Sequence, residues 1–330
     1  MKNKKCIGLL FITVGTLVCL GIAHNVQGIE KAFPTKPIQL VSGFGAGGST
    51  SMGGRIIAGT LSEFIGAPVV VNHKTGAGGT LAPIFVLKSN PDGYTLLISN
   101  TGPMTIAPFV RKIEYKPLED FEFLGQYALE PMGLVVRSEA PWKTLEELVA
   151  EIRKAPGTIK FAMDGINTPS NFGMEIFKKA ARGLKVDAIP FNSSAEMIAA
   201  VLGGHAQMAY SYMMSAKGPY EGGKLRILAL GTDKRLENYP NIPTFAEVGY
   251  PEVKWGPFFG LAVPAAVPKE VKDKLKDALR KTAQHSEVQK LLDNVGIIPA
   301  YKDSEEFTKS IKEIQQKVQQ LVKELGIKVE

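Results

Sequence analysis

Four glycines and then three consecutive hydroxyl residues fill the stretch Gly43-Phe44-Gly45-Ala46-Gly47-Gly48-Ser49-Thr50-Ser51. It follows the apolar run Ile38-Gln39-Leu40-Val41 and leads into a helical pattern, so the order is strand, glycine loop, helix. Glycines let a backbone approach a ligand closely, and the first N–H groups of a helix have no partner within it. Together with the helix dipole, worth roughly 0.3–2 kcal/mol, such N–H groups make a site for an anion. Gly43, Gly45 and Gly48 also satisfy G-x-G-x-x-G, the dinucleotide fingerprint. That fingerprint needs an acid at the end of the second strand to hold the ribose hydroxyls. Here Val69-Val70-Val71 ends in Asn72-His73, and no Gly-Lys-Ser/Thr follows the loop to make a P-loop. Anion chemistry survives without the nucleotide; the competing reading is a loop whose glycines only turn the chain and whose hydroxyls only cap the helix.

Further strand-to-helix loops favour the anion. Lys74-Thr75-Gly76-Ala77-Gly78-Gly79-Thr80 has the same design, and Asp164-Gly165-Ile166-Asn167-Thr168-Pro169-Ser170 and Pro190-Phe191-Asn192-Ser193-Ser194 are polar loops in equivalent places. In parallel sheets such loops converge beyond the carboxyl ends of the strands, where ligands sit. Catalytic patterns are missing: there is no G-x-S-x-G elbow and no H-E-x-x-H. His73 abuts the second glycine loop but reads as loop surface, His205 as a surface turn and His285 as a partner of a helix C-terminus. No catalytic residue, metal ligand or cofactor is expected.

The elements that must position these loops alternate. Strand-like runs at Ile38–Ser42, Val69–Asn72, Thr95–Ser99, Met132–Arg137, Lys160–Met163, Val186–Ile189, Met208–Ser211 and Arg226–Leu230 are separated by helical stretches. The fold class is therefore α/β, with mostly parallel sheets and helices on both faces. The first helix should bury Met52, Ile56, Ile57, Leu61 and Phe64, and Thr144-Leu145-Glu146-Glu147 is a capping box. Phe307, Ile311, Ile314, Val318, Leu321 and Leu325 recur at spacings of four and three. An amphipathic helix docked on its own domain is expected there, with a coiled-coil seam as the alternative.

The first 28 residues predict a secretory signal peptide: basic Met1–Lys5, apolar Cys6–Ala23 and small residues before a cleavage point near Gly28. A retained anchor is the alternative, and Leu17-Val18 before Cys19 does not fit a lipoprotein. Both cysteines lie in this leader, so the exported chain has no thiol and must rely on a sizeable core. The net charge of +7 includes three leader lysines, and no basic run interleaved with aromatics invites nucleic acid.

Taken together, these motifs resemble the solute receptors of tripartite tricarboxylate transporters, the TctC or Bug family. The resemblance is carried by Pro37–Val41 with Gly45–Thr50, Val69–Asn72, Gly76–Gly79 and Asn90–Leu97. Farther on it is carried by Pro190–Ala195, Leu202–Gly204, Gly223–Arg226, Ile242–Thr244 and Gly260–Pro264. It implies a two-domain periplasmic-binding-protein clamshell, or Venus flytrap, with crossings near Phe123–Met132 and Trp255–Phe259. Domain 1 would comprise 29–128 plus 258–330, and domain 2 would comprise 129–257. One ligand carboxylate would be held, partly through water, by Phe44, Gly48, Ser49, Thr50 and Ser51 with Gly76, Ala77, Gly78, Gly79 and Thr101. Thr168, Ser170, Asn192, Ser193, Ser194 and Ser211 would hold the other end.

The implied function is that of a periplasmic receptor, expected to be a monomer, that delivers a small organic carboxylate to membrane permease subunits. A receptor signalling to a sensor kinase is the alternative. Relatives usually have Pro at Ala46, commonly Asp at Ser51 and often Asp at Ser211. With two carboxylates absent, the cleft is expected to be less negative than usual and its ligand a plain carboxylate without an ammonium group.

Overall fold

A computed structural model describes residues 33–329, so the leader lies outside the described residues. The chain opens with β1 (Ile38–Ser42), α1 (Ser49–Ile65), β2 (Val69–His73), α2 (Leu81–Leu87) and β3 (Thr95–Asn100). A single π-helical turn at Gly102–Ile106 runs into α3 (Ala107–Val110), α4 (Pro117–Asp120) and β4 (Phe121–Leu129). Only Glu130 and Pro131 separate β4 from β5 (Met132–Arg137). There follow α5 (Leu145–Lys154), β6 (Lys160–Met163), α6 (Pro169–Ala180), β7 (Asp187–Pro190) and α7 (Ser194–Leu202). Next come β8 (Met208–Tyr212), α8 (Met213–Glu221) and β9 (Leu225–Leu230). The chain ends with β10 (Phe258–Pro264), α9 (Lys269–Gln284), α10 (Ser286–Asn294), β11 (Ile298–Lys302) and α11 (Ser304–Leu325).

Two sheets result, in the orders β11-β4-β10-β3-β1-β2 and β7-β6-β8-β5-β9. They are mixed rather than mostly parallel: four strand pairs run parallel and five antiparallel. The chain's passage between sheets explains this. Strands β1, β3, β6 and β8 end at the gap between the sheets, as their loops require. A strand that leaves a sheet across the gap, such as β4, runs the same way. A strand that enters from the gap, such as β5 or β10, starts there and must run antiparallel, with no crossover helix needed. At the crossing the Glu130 N–H donates to the Pro257 carbonyl at 2.8 Å, tying the outgoing chain to the returning one.

Each sheet has its own core. Ile57, Leu61 and Ile65 of α1 pack with Ile38, Leu96, Ile98 and, from α9, Leu275 and Leu279. The buried stripe of α1 lies about one residue away from the expected one, because Gly53, Gly54 and Ala58 bring the helix close to the sheet; Phe64 is left 39% exposed. The capping box forms as expected, with Thr144 accepting from the Glu147 N–H. α11 departs from its expectation. Phe307 and Ile311 join the first sheet's core, whereas Val318, Leu321 and Val322 join Phe172, Phe177 and Phe245 beneath the second. Lys179 on α6 also pairs with Glu324 at 2.6 Å. The heptad-like seam is therefore spent within the chain, on both units rather than one, and Leu325 remains 42% exposed.

Candidate functional site

The carboxyl ends of the parallel strands face one another across a cavity of about 490 Å³. Its first wall begins at β1. The Ser42 hydroxyl accepts from the Phe44 N–H at 3.2 Å and donates to the Phe44 carbonyl at 2.9 Å, folding the glycine loop back on itself. The two glycine loops then meet backbone to backbone. A Cβ on Gly43 would stand 2.6 Å from the Gly79 carbonyl oxygen, and one on Gly79 would stand 2.7 Å from the Phe44 ring, so neither position tolerates a side chain. This contact sets the first loop over the start of α1. The N-cap there is Gly48, with no side-chain cap and no acid in the first turn, so nothing within the helix competes for its leading N–H groups. Asn100 donates to the Thr50 hydroxyl at 2.9 Å in the buried floor. Arg111, which follows α3, donates to the Ala77 carbonyl at 2.9 Å and braces the second loop.

The second wall is built differently. Thr168 caps α6 by accepting from the Asn171 N–H at 3.3 Å, and Ser193 caps α7 by accepting from the Glu196 N–H at 3.2 Å. Pro169 removes a further N–H from the start of α6. Ser194 receives a hydrogen bond from Ser215 at 3.1 Å. Tyr212, just before α8, provides no side-chain cap for it.

Ten of the expected contacts line this cavity: Phe44, Gly48, Ser49, Thr50, Gly78, Thr101, Thr168, Asn192, Ser193 and Ser194. Six do not. Gly76, Ala77 and Gly79 shape the second loop from behind. Ser51 is fully buried on the far side of α1, 2.7 Å from the His73 Nε2 and 2.7 Å from an Arg55 nitrogen that donates to it. Ser170 donates to the Met197 sulfur at 3.5 Å, and Ser211 to the Tyr212 carbonyl at 3.2 Å. Thr101, besides lining the cavity, accepts from the Phe258 N–H at 3.0 Å and helps fix the returning chain.

Two acids that the sequence reading did not count as contacts lie in the cleft. Glu130 and Asp164 both line the cavity. Glu130 is 1% exposed, and among the described residues neither of its carboxyl oxygens, nor Asp164 Oδ1, makes a hydrogen bond of good geometry, although Ser49 and the Met214 backbone lie beside Glu130. Burial pushes the Glu130 carboxyl up to about 8, helped by the charge of Asp164 and offset in part by the Ser49 hydroxyl and the Met214 backbone. Burial also raises Asp164, against hydrogen bonding from Thr168 and Tyr212. Burial and the two nearby acids hold the Tyr212 hydroxyl protonated. Loop spacing marks neither acid as a contact. The one visible sign is a lone Glu-Pro between two apolar strand runs. A second cavity, of about 650 Å³, opens on the other side of the crossing and shares Thr101 and Glu130 with the first. It lacks the converging helix starts.

The family profile described as tripartite tricarboxylate transporter family receptor matches residues 54–327. The chain belongs to that family. It is 33% identical over 328 residues to the UPF0065 protein in the gbd 5' region of Cupriavidus necator, covering 99% of each chain. Among solved structures, the tripartite tricarboxylate receptor fold seen here matches R. palustris Rpa4515 with adipate at 26% identity and a TM-score of 0.82, covering 90% of this chain and 100% of that one. The periplasmic binding protein BugD matches at 27% identity and a TM-score of 0.79, with the same coverage. These likenesses are to two-domain periplasmic binding proteins, the expected fold.

Proposed function

We propose that this receptor binds a small organic carboxylate between its two sheets and delivers it to the membrane permease subunits of a tripartite tricarboxylate-type transporter. The observation that carries the reading is the uncapped start of α1 beneath the glycine loops, facing the cavity with Ser49 and Thr50 beside it. N–H groups fixed there by the Gly43–Gly79 contact are preorganised donors for carboxylate oxygens, directly or through water. The adipate in the R. palustris relative supports the ligand class. The leader at Met1–Gly28 supports export and a periplasmic site of action for the mature monomer.

In this reading the domains are 29–128 plus 258–330 and 129–257, and the two crossings between them run side by side where the Glu130 N–H donates to the Pro257 carbonyl. Ligand contacts from both walls favour the closed form, and that difference in affinity between forms is what a permease could read. α11 reaches both cores, so closure must slide or bend its contacts near Val318 and Leu321. Thermal-shift screening of the mature protein against organic acids tests the reading. A saturating acid at 100 Kd adds about 2.7 kcal/mol of stability. A panel of mono-, di- and tricarboxylates that moves no melting temperature overturns it.

A further inference from the structure

We infer that Ile166 latches the closed receptor: as the cleft shuts, its side chain leaves water and seats on the Gly45-Ala46-Gly47 tip beside Phe44. The inference rests on the closing carboxylate receptor proposed above. Among the described residues Ile166 is the most exposed large aliphatic side chain, at 63%. It nonetheless lines the cavity, on the second wall, and the turn that presents it is braced. The Thr168 hydroxyl donates to the Gly165 carbonyl at 2.9 Å, and the Asn167 N–H donates to Asn171 Oδ1 at 3.2 Å. Asn167 has a φ of 60° and Gly165 a φ of 128°, backbone shapes that Asn and Gly accept more readily than other residues.

Across the gap, Phe44, Gly45 and Gly47 line the same cavity from the first wall. Gly45, Ala46 and Gly47 are exposed, and a Cβ on Gly45 or Gly47 would meet nothing within 4 Å. Gly43 and Gly79 differ, because each is pressed against the other's loop. Packing within the first wall therefore explains Gly43 and Gly79 but not the bare shelf at Gly45–Gly47. Seating a branched aliphatic side chain on that shelf removes apolar surface from water, a gain available only when the two walls meet. The polar floor of the cavity lies deeper, with Thr50 at 5% and Glu130 at 1% exposure. Ile166 thus works at the mouth, as a positioning residue that slows opening rather than as a contact of the bound acid.

Residues 29–330 contain no cysteine, so a Gly47→Cys/Ile166→Cys pair reports the contact cleanly. A disulfide requires the two Cβ atoms to come within about 4 Å. Succinate, adipate and citrate are the probes, each first titrated into the parent protein by calorimetry. With a saturating acid the pair should cross-link at least tenfold faster than without it. Ile166→Ser should weaken every acid that binds by the same factor, five- to twentyfold, through faster dissociation with association unchanged in stopped-flow. Ile166→Leu should stay within threefold of the parent. Cross-linking that ignores the acid, unchanged affinity in Ile166→Ser, or a loss that varies more than threefold with the acid overturns the latch and leaves the carboxylate reading standing. If none of the three acids binds the parent, the carboxylate reading fails for this panel and takes the latch with it.

Discussion

The two walls of the cleft solve the same problem, a helix start facing a ligand, in opposite ways. On the first, Gly48 leaves the N–H groups of α1 free, and close packing of Gly43 on Gly79 holds the loops in place. On the second, Thr168 and Ser193 already use part of the hydrogen-bonding capacity of α6 and α7, and Asp164 turns an acid into the gap. One wall offers donors and the other offers acceptors. A cleft so polarised fixes which way round a ligand lies, which a symmetric ring of helix starts would not do.

The largest test breaks the donor wall outright. Gly43→Val places atoms where the Gly79 carbonyl lies, so the loops must part. Overpacking of this kind costs about 1–3 kcal/mol of stability, and binding should fall at least a hundredfold by calorimetry. Near-parental affinity would detach the glycine loops from the site.

On the acceptor wall, Glu130→Gln should stabilise the free protein in a pH-dependent way. The folded state holds the Glu130 proton to about pH 8, whereas the reference carboxyl releases it near 4.5. Between those values the folded state binds more protons, so rising pH erodes parental stability. At about 1.4 kcal/mol per unit the erosion is on the order of 5 kcal/mol, complete above pH 8. The variant should be little changed at pH 4 and clearly more stable than the parent at pH 9 in urea titrations. A variant less stable at both would show that Glu130 is paired.

Thr50→Val removes the acceptor for Asn100 and one hydroxyl beside the start of α1. A loss of roughly 1–2 kcal/mol in binding, five- to thirtyfold, is expected. The smallest effect belongs to Ser51→Ala. Its hydroxyl serves His73 and Arg55 behind the helix, so affinity should change less than twofold while stability drops by about 1 kcal/mol. A tenfold loss of affinity would restore Ser51 to the binding surface.

What the sequence revealed divides along the same line. The first wall is written in contiguous residues, because glycine loops and helix starts are local features. The strands that carry loops were legible to within about a residue, from Ile38–Ser42 to Lys160–Met163. The crossing strands β4 and β10 were not read from pattern. Both are buried on nearly every residue, and a run without alternation does not declare itself a strand. Glu130 and Asp164 were missed for a related reason. Their meaning depends on burial and on each other, across 34 positions of chain and two sheets, and no local spacing encodes that. Ser51 shows the reverse error: one residue along a helix turns a side chain by about 100°, enough to move it from the cleft to the back of α1.

The most direct test of the polarised cleft is a crystal structure of the mature protein with its tightest-binding acid. The ligand carboxylate should lie against the start of α1 and the Gly78 loop, within hydrogen-bonding distance or one water of their N–H groups, with its opposite group turned toward Glu130 and Asp164. A carboxylate seated on the capped starts of α6 and α7, with nothing held at α1, would contradict the account.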